Sequence, residues 1–113
     1  MRVIETENYY VFDVNMRYIS PNSSRLVEDV INNISTNKDL SLDMQNVENF
    51  SNEFMDMLYK VSQRRKITLV NTSSESLVLL YLSGVDKYLN IYQSSLDMES
   101  GMNRLINRKF SVV

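Results

Sequence analysis

Short apolar segments of strand character alternate along this chain with amphipathic segments whose apolar residues recur at helical spacing. The strand-like segments predict β-strands at residues 2–7, 9–16, 40–44, 66–70 and 89–92. The helical spacing predicts helices at residues 24–34, from 51 or 52 onward, from about 77 to 84, and from 94 onward. Three of these helices separate consecutive strands, and such crossover connections join parallel neighbours. The sequence therefore predicts an α/β fold with a mainly parallel mixed β-sheet of 4–5 strands and about four helices packed on it.

Local signals predict where the helices begin and end. Residues 21–23, Pro-Asn-Ser, interrupt the second strand region and offer N-cap residues to the first helix. Thr72 and Glu75 have the spacing of a capping box after the polar turn that follows residues 66–70. Gly84 suits the C-terminus of the helix that follows, because glycine adopts a left-handed conformation without strain.

The composition limits the classes of site that the chain can build. At 113 residues it predicts a single domain, 1–113, with one core. The chain has no cysteine and no histidine, so disulfides, thiolate metal sites and the usual catalytic triads are excluded. The net charge of −2 gives no basic surface for nucleic acid. No apolar run approaches the ~20 residues that cross a bilayer. We expect a cytoplasmic protein with no cofactor, no metal and no direct membrane insertion.

The junction between strand 40–44 and the helix after it is the best place to look for a functional site. It combines a strand's C-terminal edge with a helix N-terminus, and α/β proteins often bind ligands or partners at such edges. Ser51 has two interpretations there. It is an N-cap, since serine is a preferred capping residue, or it is a phosphate acceptor whose phosphate would meet the free N–H groups of the helix. We favour the N-cap.

Two further clusters have a structural and a functional interpretation. Four carboxylates follow the same strand, but they lack the ligand spacing of a calcium loop, so we interpret them as solvated charges. They are Asp43, Glu48, Glu53 and Asp56. The last predicted helix carries an apolar stripe that suits core packing, with a partner-binding face as the alternative. The stripe consists of Met98, Met102, Leu105 and Ile106.

The element order and several short motifs resemble a STAS domain, the fold shared by anti-sigma factor antagonists and the cytoplasmic tails of sulfate transporters. A strand ends in Leu42-Asp43, and Val47 stands where the family has a hydrophobic anchor in the next loop. Residues 67–71 match the later strand, and residues 83–89 match the family's Gly-Leu-Asp-like turn. The resemblance extends over nearly the whole chain.

The sequence departs from the family at the phosphorylation motif. Counting from Leu42-Asp43, the family's Asp-Ser-Ser-Gly falls on residues 51–54, which are Ser-Asn-Glu-Phe. The position that matches the phosphorylated serine is Asn52, which has no hydroxyl. A shift of one residue brings Ser51 into place, but the acidic residue and the glycine of the motif are still missing. The resemblance therefore implies a family member without the usual serine phospho-switch.

By this resemblance, we expect a non-catalytic module that binds an anti-sigma factor or a serine kinase-type partner in bacterial regulation. The implied partner-binding residues are Val47, Asn49, Ser51, Asn52, Glu53, Asp56 and Met57, with Ser51 as the candidate phosphoacceptor.

The alternative is a non-phosphorylated structural STAS subunit of a stress-signalling or lipid/anion transport complex. An exposed apolar patch and stable oligomers would favour that alternative, and a homodimer is the further partner considered. A small enzyme or nucleotide binder is the third hypothesis, which a pocket with convergent polar groups would support.

Overall fold

Residues 2–35, 37–94 and 97–98 are described by a computed structural model, in which strands and helices alternate as the periodicity predicts. The strands are β1 (Arg2–Glu5), β2 (Tyr9–Asp13), β3 (Tyr18–Ile19), β4 (Asp39–Asp43), β5 (Asn49–Phe50), β6 (Ile67–Val70) and β7 (Asn90–Tyr92). The helices are α1 (Pro21–Asn33), α2 (Asn52–Ser62) and α3 (Ser74–Ser83), and a 3-10 helix covers Val85–Tyr88.

Five of the strands form one sheet in the order β1-β2-β4-β6-β7. Only β1 runs antiparallel to its neighbour, while β2, β4, β6 and β7 are parallel. The predicted mainly parallel α/β architecture is therefore confirmed. Three α-helices and one 3-10 helix lie within the described residues, where Asp97 and Met98 are also helical. The stripe predicted for a fourth helix lies outside them at Met102, Leu105 and Ile106, while Met98 is described and buried.

Buried apolar residues cover both faces of this sheet, in a large cluster and a small one. In β2, Phe12 belongs to the main apolar cluster and its neighbour Val11 belongs to a smaller one. Since successive side chains of a strand point to opposite faces, the two clusters lie on opposite sides of the sheet. The main cluster receives one face of α2, formed by Phe54, Leu58 and Val61, which recur at helical spacing and are all fully buried. The smaller cluster joins Val11 and Val70 to Met98.

Several predicted boundaries are wrong. The second strand ends at Asp13 and not at residue 16, because Asn15 adopts a left-handed backbone conformation with φ 50° that breaks the extended run. Helix α1 begins at Pro21, since proline suits the first helical position, and Ser20 is its N-cap. Ser73, not Thr72, caps α3.

The predicted C-terminus of α3 is confirmed. Gly84 is the C-cap of α3 with φ 83°, in the left-handed region that favours glycine, as predicted. No helix in the described part of the chain has the length and apolar character that crossing a membrane requires.

Candidate functional site

Two short strands that the sequence did not reveal bring the starts of α1 and α2 together. Strands β3 and β5 pair in parallel, with Ile19 opposite Phe50. Each strand leads directly into the N-cap of a helix, Ser20 for α1 and Ser51 for α2. The Ser51 backbone N–H donates to the Ile19 carbonyl oxygen at 2.9 Å. The N-termini of α1 and α2 therefore lie side by side.

Ser51 is the N-cap of α2, as we favoured from the sequence. Its hydroxyl accepts a hydrogen bond from the Phe54 N–H at 3.3 Å, and its backbone has the extended conformation that N-caps adopt. Only 9% of the residue is exposed, and its Oγ lies 3.4 Å from the buried hydroxyl of Ser24. The hydroxyl is thus turned into the contact between the two helix starts. Its phosphorylation is still a prediction that the structure does not test.

The capping role makes a stability prediction. Ser51→Ala removes the side-chain acceptor of the Phe54 N–H, which keeps its 3.1 Å hydrogen bond to the Ser51 carbonyl oxygen. We expect the free energy of unfolding to fall by about 1 kcal/mol, the usual cost of losing a serine N-cap. Ser74→Ala is the matched control, because Ser74 is an exposed first-turn residue of α3 that is not its cap. Its effect should stay within about 0.5 kcal/mol. Urea denaturation of both variants measures the difference, and equal effects would contradict the capping role.

The structure divides the seven implied contact residues into two groups. The side chains of Val47, Ser51 and Met57 are buried, and Val47 and Met57 belong to the main core. The exposed residues are Asn49, Asn52, Glu53 and Asp56. In this conformation the surface that a partner can reach at the start of α2 is therefore polar and acidic.

The four carboxylates considered from the sequence do not converge. Asp43 holds the loop after β4, because its Oδ1 accepts hydrogen bonds from the Gln45 N–H and from the Asn71 side chain, both at 3.0 Å. Glu48 forms an exposed salt bridge with Arg17 at 3.0 Å. Within residues 2–35, 37–94 and 97–98, no three side chains of the metal-binding types are close enough together to hold an ion.

Helix α2 forms a ridge with a groove on each side, and Asp56 lines both grooves. The groove toward α1 has a volume of about 220 Å³ and includes Arg25 and Glu53. It is crossed by the salt bridge between Lys60 and Glu28, whose atoms are 2.7 Å apart. Helical spacing in the sequence places Glu53, Asp56 and Lys60 on one face of α2. No sequence signal shows that residues of α1 lie opposite them.

The groove on the other side of α2 has a volume of about 340 Å³ and faces the 3-10 helix. Its walls include Tyr59 and Tyr88, whose rings meet edge to face with centroids 4.9 Å apart. The sequence interpretation missed this pair. Tyr59 follows Asp56 by three positions, so the sequence predicts that the two share a helix face. No sequence pattern predicts that Tyr59 contacts Tyr88, which lies far away along the chain.

A search of curated proteins gave no match. The family model described as "STAS domain" matches residues 1–98, which include the whole sheet, the three helices and the α2 ridge. That match covers most of the chain, and the chain belongs to the STAS domain family.

Proposed function

We propose that this protein is a non-catalytic protein–protein interaction module that binds an anti-sigma factor or serine kinase-type regulator through the exposed start of α2. The observation that carries the proposal is the position of two exposed carboxylates, Glu53 and Asp56, on the ridge beside the start of α1. Together with Asn49 and Asn52, they form what we call the acidic ridge. Membership of the STAS family supports an interaction module of this kind.

The charges of the acidic ridge are available to a partner. Glu5, Glu28, Asp39 and Glu48 each form a salt bridge with a lysine or arginine of the same chain. Glu53 and Asp56 form none within the described residues. A basic surface on the partner would complement these carboxylates, which favours fast and specific association.

We propose further that binding does not depend on phosphorylation of this chain. Asn52 has no hydroxyl at the position that corresponds to the family's phosphoserine. The Ser51 hydroxyl caps α2 and is largely covered. A phosphate at Ser51 would displace the contact with Ser24 and bring two negative charges near Glu53. Binding is therefore constitutive, or it is controlled on the partner's side.

Capture from the native cell tests the proposal. Tagged wild-type protein, Glu53→Arg and Asp29→Arg are used as baits, and the captured proteins are identified by mass spectrometry. Asp29 is an exposed carboxylate of α1 that lines neither groove, so its reversal is a matched control. We expect wild type and Asp29→Arg to retain a sigma-regulator or kinase-type protein and Glu53→Arg to lose it. Retention by all three baits would contradict the proposed surface.

A second candidate function is a structural subunit of a larger assembly, and the outer face of α3 favours it. Six consecutive apolar residues run through this helix, yet only Ser76 and Leu80 are buried. Val78 is 55% exposed and Leu82 is 72% exposed. Exposed apolar surface on a helix is typical of interaction sites. Leu82→Arg separates the candidates, because it would release a structural assembly but leave binding at the acidic ridge intact.

A further inference from the structure

The groove between α2 and the 3-10 helix has the features of a binding site for a side chain. Asp56 and Tyr59 come from α2, and Val85, Lys87 and Tyr88 come from the 3-10 helix. Ser83 and Gly84, at the end of α3, complete its lining. Its volume of about 340 Å³ is enough for one long side chain but small for a whole peptide segment.

The two tyrosines that line the groove are both partly exposed to solvent. They meet edge to face, with ring planes at 80° and centroids 4.9 Å apart. Tyr59 is nevertheless 44% exposed and Tyr88 is 49% exposed. An aromatic ring carries negative electrostatic potential on its faces, and a cation placed over an open face is attracted to it. Asp56 lines the same groove, and its carboxylate adds a negative charge there.

We propose that this groove receives an arginine side chain of the partner protein. The inference rests on the proposed function, since it specifies the chemistry that the partner offers next to the acidic ridge. A guanidinium is planar and weakly hydrated, so it stacks on a tyrosine ring and at the same time donates paired hydrogen bonds to a carboxylate. Asp56 and the two tyrosines supply both halves of this recognition.

Among the described residues that line the groove, Lys87 is the one cation, and it opposes the bound arginine. It is exposed, so its flexible ammonium can turn toward solvent when the guanidinium binds. Glu53, one turn before Asp56 on the same ridge, adds negative potential that offsets it. An anionic ligand would gain Lys87 but would meet Asp56 and the ring faces, so a cation is the better complement.

A titration followed by ¹H–¹⁵N correlation spectra tests the inference without the partner. The probe is N-acetyl-arginine methylamide, and its neutral analogue N-acetyl-citrulline methylamide is the control ligand. We expect shift changes at the amides of Asp56, Tyr59, Lys87 and Tyr88 with the arginine probe. The citrulline analogue should bind at least about fivefold more weakly, because it lacks the charge.

Three variants test which charges determine the affinity for the arginine probe. Asp56→Asn should weaken the arginine probe about two- to fivefold, and Lys87→Gln should strengthen it by a similar factor. Asp29→Asn, the same kind of change away from the groove, should leave the affinity unchanged. Equal binding of both probes, shifts scattered over the surface, or no effect of Asp56→Asn would overturn the inference. The proposed function would survive that result if Glu53→Arg still abolished partner capture, so the two failures are distinguishable.

Discussion

Phe54→Ala is expected to lower the free energy of unfolding by about 3–5 kcal/mol, the largest stability effect that we predict for α2. Phe54 is fully buried in the main core, and its ring centroid lies 5.1 Å from that of Phe50. The truncation removes a large apolar surface and leaves a cavity between α2, β5 and the sheet. Urea denaturation followed by circular dichroism measures the loss.

The size of this effect matters because the ring anchors the candidate site. Small domains are stable by only about 5–15 kcal/mol, so Phe54→Ala would remove a large share of that stability. Asn52→Ala is the control, because Asn52 is exposed two positions away, and we expect a change within about 0.5 kcal/mol. If Phe54→Ala cost less than ~1 kcal/mol, the start of α2 would not be fixed to the core as the structure shows it.

Glu53→Arg is expected to weaken binding of the captured partner by about thirtyfold, or ~2 kcal/mol. The reversal replaces the attraction between Glu53 and a basic residue of the partner with a repulsion between two positive charges. Asp56 is then the carboxylate that remains on the acidic ridge. Glu53 also lies in the first turn of α2, where a negative charge interacts favourably with the helix dipole. The variant should therefore lose about 0.3–1 kcal/mol of its free energy of unfolding. Isothermal titration of the purified pair measures the affinity.

Asp29→Arg separates a local effect from a general one. It makes the same change in net charge on α1, outside both grooves. Its affinity should remain within about twofold of wild type at physiological ionic strength, where distant exposed charges are screened. Equal losses in the two variants would show that the partner responds to overall charge and not to the ridge.

Local patterns in the sequence were sufficient to predict the frame of the fold. Phe54, Leu58 and Val61 recur at helical spacing, which predicts a shared apolar face, and the structure buries all three side chains. The last turn of α3 was predicted equally well, because Gly84 is one of the chain's two glycines and glycine is the residue that a left-handed C-cap requires.

The arrangement of the site could not be predicted in the same way. Strands β3 and β5 contain two residues each, too few to show a period, and they pair residues that lie far apart in sequence. Their pairing is what places the two helix starts side by side. The Tyr59–Tyr88 contact is equally non-local. The resemblance named Val47 and Met57 together with exposed residues, and the structure places both side chains in the main core.

Hydrogen–deuterium exchange of the wild-type protein, free and bound to its captured partner, tests whether the acidic ridge is the binding surface. We predict slower exchange on binding for the amides at the start of α2, residues 52–57, and for the 3-10 helix (Val85–Tyr88), while the outer part of α3 is unchanged. Protection confined to residues 78–82 of α3, with α2 unaffected, would contradict the acidic ridge as the binding surface and favour the structural subunit instead.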